Sequence, residues 1–275
     1  MISWDWYSAT LHGVGQGGID SVISGLVEGL PFVSVRPGRG MHGYHHGADV
    51  VRGERTLARL WWGGNPGVHV QATGDASPEV SAVIRSRWPA HAVSRADACI
   101  DWDVQGRFDT LAQALLSYAA VKGIAINQQG DWHRGVSRTL YLGAPSSSVR
   151  LVLYEKGHQL GPPASPDWVR LEVRVRPKGA ARERVASWEP ARAFQASAWV
   201  CEALERCGWG ALAPDAVGTV WRAGDDLRAR RALLRQYGAV LERWSVELGG
   251  WSALGPGLAA AMVDAQALQA APVEL

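Results

Sequence analysis

Strict alternation of apolar and charged residues marks the stretch WVRLEVRVR, which spans Trp168–Arg176. Alternate residues of a β-strand point to opposite faces of a sheet. The stretch therefore predicts a strand with one face packed on a core and one polar face that carries arginines and Glu172. On that polar face Glu172 is either a cross-strand ion-pair partner of the arginines or a metal ligand beside phosphate-binding arginines.

A second strand with this pattern is RADACIDWD, which begins at Arg95. It places three carboxylates on one face, at Asp97, Asp101 and Asp103. Carboxylates this close repel one another unless positive charge neutralises them. A divalent cation with oxygen ligands would do so, and so would arginines along a solvent-facing edge. The sequence leaves both alternatives open.

The third strand is VRLVLYEKG, which begins at Val149. Its leucines predict a core face, and Arg150, Tyr154 and Lys156 share the opposite face. A strand tyrosine is commonly an amphipathic residue at the edge of a core. With an ammonium and a metal ion beside it, the phenol would instead be a nucleophile whose attack on phosphate those charges assist.

Around these three segments, residues 1–180 are strand-rich and residues from about 187 onward are rich in Ala, Leu and Arg with helical periodicity. We expect an α+β fold with a central, mainly antiparallel sheet and helices on one face. The predicted domains are 1–180, with the site, and 181–275, a helical region packed on it. The predicted helices of the first domain are Ser77–Trp88 and Phe108–Lys122. The predicted strands are Asp5–Leu11, Phe32–Arg36, Thr56–Trp62, Gly67–Thr73, Ala92–Asp103, Thr139–Leu142, Val149–Glu155 and Trp168–Arg176.

The amino-acid composition limits the classes of protein to which the chain can belong. The chain has 275 residues and a formal net charge of +2, and no apolar run is long enough for a membrane span. Three cysteines and no secretory pattern favour a reducing, cytoplasmic location. Arginine outnumbers lysine strongly, which either serves phosphate binding or reflects a GC-rich genome. The dipeptide Asp-Trp recurs at 5–6, 101–102, 131–132 and 167–168, which reflects either a duplicated strand-helix unit or chance in a Trp-rich chain. Because the recurrence has no fixed period, no repeat architecture is expected.

Taken in order, several segments resemble the Rep-trans replication initiation factors. This family includes rolling-circle initiators of plasmids and filamentous phages and related relaxases of conjugative elements. The resemblance covers roughly residues 3–180. The segments that carry it are RADACID, SRTLYLG, SSSVRLVLYEKGHQ and WVRLEVRVRPK.

The resemblance implies a site-specific, metal-dependent DNA nickase. In the family a tyrosine attacks a backbone phosphodiester, which gives a 5′-phosphotyrosyl link and a free 3′-hydroxyl. The family's tyrosine and lysine fall on Tyr154 and Lys156 of this chain. Its acidic positions, which we interpret as ligands of Mg²⁺ or Mn²⁺, fall on Asp97, Asp101 and Glu172. We expect four arginines to position DNA phosphates, namely Arg95, Arg150, Arg170 and Arg174.

The expected substrate is origin DNA, either single-stranded or as a hairpin exposed in a supercoiled duplex. A host helicase and polymerase are the expected partners in a bacterial cytoplasm, and a homodimer is left open. The gene would belong to a phage, a prophage or a plasmid. The alternatives are a relaxase of a conjugative or mobilisable element, and a non-catalytic origin-binding repressor.

One feature departs from tyrosine nickases that bind metal through a His-hydrophobic-His strand. The nearest counterpart here is His69-Val70-Gln71, so His69 either contributes a ligand alone or contributes none. A second tyrosine, Tyr141, is interpreted as structural. The histidine cluster at residues 42–46 lies in the glycine-rich segment Gly38–Gly47, which predicts a mobile loop, with metal or DNA contact as the alternative.

Overall fold

A computed structural model of the chain describes residues 1–14, 18–218 and 225–270. Contacts divide the chain into two compact units, Met1–Val220 and Trp221–Leu275. The first unit holds the sheet and every residue of the predicted site. The second holds two helices, α7 (Asp225–Glu247) and α8 (Trp251–Ala270), which contact each other.

Ten strands form one sheet in the described part of the first unit, and all neighbouring strands are antiparallel. Their order across the sheet is β2-β3-β4-β5-β1-β6-β10-β9-β8-β7. The strands are β1 (Ser3–Leu11), β2 (Ser34–Arg39), β3 (His46–Arg52), β4 (Arg55–Trp62), β5 (Val68–Thr73), β6 (His91–Asp103), β7 (Ile126–Asp131), β8 (Val136–Leu142), β9 (Val149–Glu155) and β10 (Trp168–Val175).

Six α-helices accompany the sheet in the described part of this unit, together with short 3-10 helices at Gly74–Ala76 and Pro190–Gln195. The helices are α1 (Gly18–Gly29), α2 (Ser77–Arg87), α3 (Arg107–Lys122), α4 (Lys156–Leu160), α5 (Ala181–Ala186) and α6 (Ala198–Arg206).

The alternation of apolar and charged residues along each strand determines which face of the sheet packs on the apolar core. Leu171, Val173 and Val175 on β10 are fully buried in one apolar cluster, as the sequence predicted. Residues of α1, α2, α3, α5 and α6 belong to the same cluster, so these helices cover one face. The prediction of an α+β fold with a mainly antiparallel sheet and helices on one face is confirmed.

The two halves of the sheet share one order of elements. Each half begins with a central strand, β1 or β6, continues through a helix, and returns through four strands, the last of which pairs with the central strand. The two central strands pair with each other. The chain therefore repeats a topological unit, which is the alternative that the recurring Asp-Trp dipeptides left open.

Residues after 180 contribute to the same core up to residue 217. Val185 of α5, Phe194, and Leu204 of α6 are fully buried in the cluster that the sheet and the other helices form. The helical periodicity expected from about residue 187 does not give one continuous helix here, because a 3-10 helix ends at Gln195 and α6 begins at Ala198. The domain division near residue 180 stays a prediction.

The glycine-rich segment predicted as a mobile loop supplies the ends of a hairpin. Residues 38 and 39 lie in β2, and residues 46 and 47 lie in β3. A Cβ on Gly47 would lie 2.4 Å from the Arg39 carbonyl oxygen, so the two strands approach this closely only with glycine there. Among the described residues, no helix has the length and apolar character needed to cross a membrane.

Candidate active site

Tyr154 lies on β9, on the sheet face that the helices leave uncovered. Its side chain is only 8% exposed, and its hydroxyl donates a hydrogen bond of 2.6 Å to Oε1 of Glu172 on the neighbouring strand β10. Burial raises the pKa of Tyr154, and the nearby Glu172 carboxylate raises it further. The phenol is therefore protonated at neutral pH, with a proton acceptor already in place.

Arginines bind the two carboxylates that lie beside this tyrosine. Arg174 donates from Nε to Oε2 of Glu172 at 3.0 Å and lies 3.7 Å from Asp97. Arg95 donates from Nε to both oxygens of Asp97 at 3.0 Å. Even with these partners, burial dominates and raises the pKa of Asp97 to about 6. Asp97 is therefore paired with arginines, but on a buried central strand and not along a solvent-facing edge.

A separate ion-pair group holds Asp101. Arg170 donates from Nε to Asp101 at 2.7 Å and from Nη1 to Asp5 at 2.5 Å. Arg170 is 7% exposed, so its guanidinium is committed to these two carboxylates. Burial, followed by the charge of Glu172, raises the pKa of Asp5. Asp5 thus connects the Arg170 group with the Glu172 and Tyr154 pair.

A cavity of about 480 Å³ opens beside the Tyr154 and Glu172 pair. Six of the nine predicted site residues line it, and Asp101, Arg150 and Arg170 do not. The six are Tyr154, Lys156, Asp97, Glu172, Arg95 and Arg174. The strands β6, β9 and β10, with the first residue of α4, thus bring a phenol, an ammonium, two carboxylates and two guanidinium groups to one cavity.

Lys156 is the first residue of α4, directly after β9. Its ammonium lies 5.7 Å from the centre of the Tyr154 ring and donates to Oε1 of Gln159 at 3.2 Å. Among the described residues no carboxylate pairs with it at ion-pair distance. The positive charge of Lys156 is therefore available to an anion that enters the cavity.

Arg150 packs on the second tyrosine instead of lining the cavity. Its guanidinium carbon lies 4.0 Å from the centre of the Tyr141 ring, and its Nε donates to the Gly143 carbonyl oxygen at 3.2 Å. Tyr141 itself lines the cavity, and its hydroxyl donates to Gln129 at 3.4 Å. Arg150 therefore holds the ring of a residue that borders the cavity.

Sequence reasoning missed three residues of the site. A register shift in β1 between Trp4 and Trp6 turns Asp5 and Trp6 toward the cavity, and the Arg95 guanidinium lies 4.0 Å from the centre of the Trp6 ring. Arg138 binds the buried Glu155 at 2.8 Å and so fixes the end of β9. The Asp5-Trp6 dipeptide can be read directly from the sequence, but nothing in the sequence indicates the register shift that turns its side chains toward the cavity.

The predicted ligand set does not fit a metal site as it is arranged here. Each carboxylate is bound by a guanidinium group: Asp97 by Arg95, Asp101 by Arg170 and Glu172 by Arg174. In the described ranges no three His, Cys, Asp or Glu side chains are grouped to hold a metal ion. The requirement for Mg²⁺ or Mn²⁺ stays a prediction.

His69 lies apart from this cavity, on β5. Its ring packs near the rings of Trp61, Tyr44 and His42, and burial lowers its pKa to about 4. The imidazole is therefore neutral at pH 7. These ring contacts attach the 40–45 turn to the sheet.

No protein-family model matches the sequence, and no curated protein matches it either. A solved structure with a similar fold is that of a rolling circle replication initiator protein from Geobacillus stearothermophilus. The TM-score is 0.49 and the sequence identity is 22%, over 67% of this chain and 77% of that chain. Membership of the family that the motifs resemble stays a prediction.

Proposed function

We propose that the chain is a rolling-circle replication initiator that nicks one DNA strand through Tyr154. The observation that carries this proposal is the 2.6 Å hydrogen bond from the Tyr154 hydroxyl to Glu172, inside a cavity lined by unpaired and partly paired cations. The motif resemblance supplies the substrate class, which is a DNA phosphodiester. The product would be a 5′-phosphotyrosyl link and a free 3′-hydroxyl.

Proton transfer would accompany the attack. The bond from the Tyr154 oxygen to phosphorus forms while the phenol proton passes to Glu172, and the bond from phosphorus to the 3′ oxygen breaks. Because burial raises the pKa of Tyr154, free phenolate is scarce, and a proton acceptor at hydrogen-bond distance is required. Lys156, whose ammonium lies 5.7 Å from the centre of the Tyr154 ring, would give the leaving 3′ oxygen its proton.

Arg95 and Arg174 would stabilise the phosphate under attack. Negative charge accumulates on the phosphate oxygens in the transition state, and fixed guanidinium groups stabilise such charge without reorganisation. Asp97 holds both guanidinium groups in place, because it lies 2.5 Å from Arg95 and 3.7 Å from Arg174. In this proposal Asp97 acts as a positioning residue.

The burial of Tyr154 favours an unpaired strand as the substrate. A hydroxyl on a side chain that is 8% exposed reaches a phosphate only if the strand bends into the cavity. Single-stranded DNA, or a hairpin loop exposed by supercoiling, bends more easily than a regular duplex. A helicase and a polymerase of the host would then act on the nicked product.

The decisive experiment is incubation of the full chain with supercoiled plasmids that carry DNA flanking its gene. We expect nicked circles and a covalent protein–DNA adduct on a denaturing gel, with DNA attached to a peptide that contains Tyr154. Parallel reactions with Mg²⁺, Mn²⁺ or EDTA test the predicted metal requirement. An adduct at another residue would overturn the assignment of Tyr154.

Tyr154→Phe separates the enzyme from a non-catalytic origin-binding protein. The variant should form no adduct and no nick, yet retain DNA affinity within about twofold, because only one hydroxyl is lost. Glu172→Gln should slow nicking by about 10²- to 10⁴-fold, the usual contribution of a general base. If the unmodified chain binds the DNA tightly but never forms an adduct, the catalytic proposal is wrong.

A further inference from the structure

A second groove lies at the far edge of the sheet from Tyr154. It has a volume of about 570 Å³ and is formed by the hairpin of β2 and β3 together with the end of β4. Its charged and aromatic lining residues are Arg36, Arg39, His45, His46 and Trp62. The other lining residues are small or apolar, and none of the described residues in the lining is acidic.

The register places this groove on the opposite side of the sheet from the cavity. His46 on β3 is paired with Arg39 on β2 and with Trp62 on β4. Gly47 and Trp61, their neighbours along β3 and β4, point to the opposite face of the sheet. Trp61 faces His69 on the side of Tyr154, so Trp62 and His46 face the other side. Five strand spacings separate β4 from β9, which is roughly 25 Å.

The cations of the groove are largely uncompensated. Arg39 is exposed and has no ion pair within the described part of the chain. Arg36 donates to the Gly53 carbonyl oxygen at 2.6 Å and lies 3.6 Å from the fully exposed Glu54. Two guanidinium groups with two exposed imidazoles beside them form a surface that favours an anion.

Trp62 adds a flat apolar surface to these charges. Its ring centre lies 5.7 Å from that of His46, with an angle of 32° between the ring planes. The indole is only partly buried, so part of its face is open to the groove. Arginines that bind phosphate beside an aromatic face that stacks a base are the combination found in proteins that bind single-stranded nucleic acid.

We propose that this groove binds a segment of single-stranded DNA, with Arg36 and Arg39 on its phosphates and Trp62 stacked on a base. The site is distinct from the Tyr154 cavity and goes beyond the proposed nicking activity. It would hold a strand that passes the edge of the sheet.

The test measures binding without cleavage. Full-length chain is titrated into a fluorescent dT20 oligonucleotide, and affinity is followed by anisotropy at several salt concentrations. The Arg36→Glu/Arg39→Glu double variant should bind at least about tenfold more weakly, and the slope of log affinity against log salt should become shallower by about 1.4, or 0.7 per lost phosphate contact. Thermal unfolding checks that the variant is folded.

The control is a charge reversal outside the groove. Lys178 is exposed and lies in neither the groove nor the cavity, so a pair of single variants, Arg39→Glu and Lys178→Glu, changes the net charge equally. Arg39→Glu should weaken binding clearly and Lys178→Glu by less than twofold. Equal effects would overturn the proposal, because they would reflect net charge alone.

Stacking of a base on Trp62 is tested separately, by fluorescence. A dT20 strand with one 2-aminopurine should lose fluorescence on binding, and Trp62→Leu should abolish this quenching while Trp62→Phe retains it. Quenching that survives Trp62→Leu would contradict the assigned base contact. Displacement of dT20 by dTMP at the same nucleotide concentration would contradict a strand site. A chain that fails to nick but shows these binding effects would refute only the nicking proposal.

Discussion

Asp97 shows how two opposing effects determine the protonation state of one carboxyl group. Two arginines lie within ion-pair distance and favour its ionised form, while near-complete burial disfavours that form more strongly. The pKa is raised to about 6 in the folded chain, from an ordinary value of 3.8. Between these two values the folded chain keeps a proton that the unfolded chain has lost.

We therefore expect Asp97 to make stability depend on pH with a definite sign. Its contribution to the free energy of unfolding is fully present below pH 3.8 and is lost as pH rises through about 6. The loss amounts to about 3 kcal/mol, because one pKa unit corresponds to about 1.4 kcal/mol. Chemical denaturation of the wild type and of Asp97→Asn from pH 4 to 7.5 measures the difference.

The control for this measurement is Asp20→Asn, which changes an exposed carboxylate that has no ion pair in the described structure. Its unfolding free energy is measured over the same pH range, so that the loss of one exposed carboxylate can be compared with the loss of Asp97. A difference between wild type and Asp97→Asn that stays constant across this range would show that burial does not control the Asp97 carboxyl.

At the level of single residues, the sequence predicted which side chains share the open face but not which of them meet. Alternation placed Asp97, Asp101, Tyr154 and Glu172 on that face. The register of β10 decides the rest, since it sets Arg170 opposite both Asp101 and Tyr154. A pattern of period two carries no information about register, so the separate Arg170 group could not be anticipated.

Among the secondary-structure elements, the bounds of two strands with one buried face, β9 and β10, were predicted closely. The prediction Val149–Glu155 coincides with β9, and Trp168–Arg176 differs from β10 by one residue. The strand β7 was missed because residues 126–130 are all exposed, so no alternation marks it. The helix α1 was missed although its Val22 and Leu26 are fully buried, because glycines border it at both ends.

The junction between β9 and α4 gives an element-scale prediction. A Cβ on Gly157 would lie 1.7 Å from the Ser165 carbonyl oxygen, so Gly157→Ala must displace either the helix or the 161–167 segment. Lys156 precedes this glycine, and its ammonium would move with the helix. We expect nicking to fall at least about tenfold and stability to fall by about 1–3 kcal/mol, the usual cost of overpacking.

The matched variant is Gly210→Ala, because a Cβ at Gly210 meets nothing within 4 Å and the residue is exposed. Its nicking rate and melting temperature should match those of the wild type. If Gly157→Ala also matches the wild type, the close approach of this turn to Ser165 does not position Lys156.

On the scale of the whole molecule, the apolar core under the sheet includes residues well beyond position 180. The change of composition near residue 180 predicted a boundary there. Val185, Trp188, Phe194 and Leu204 nevertheless fill the same apolar cluster as the strands. Composition reports helical character, whereas the boundary of a folding unit depends on which surfaces are buried together.

Two truncations test this boundary. A chain that ends at residue 220 should unfold cooperatively and keep DNA affinity at the Tyr154 cavity, because the described core of the sheet unit extends to Val217. A chain that ends at residue 180 should be unfolded or aggregated, since several large buried side chains are removed, each worth about 1.5–3 kcal/mol. Circular dichroism and analytical ultracentrifugation separate these outcomes. A stable, monomeric 1–180 fragment would support the earlier boundary.

The repeated order of elements has a consequence for how such a chain can arise and change. An internal duplication would produce two equivalent half-sheets, of which only the second carries the proposed nucleophile, on β9. The strand in the corresponding place of the first half is β4, which carries Trp61 and Trp62. If the proposed nicking activity is correct, the first half takes no part in the reaction, so its residues can change to suit different DNA sequences while those around Tyr154 stay constant.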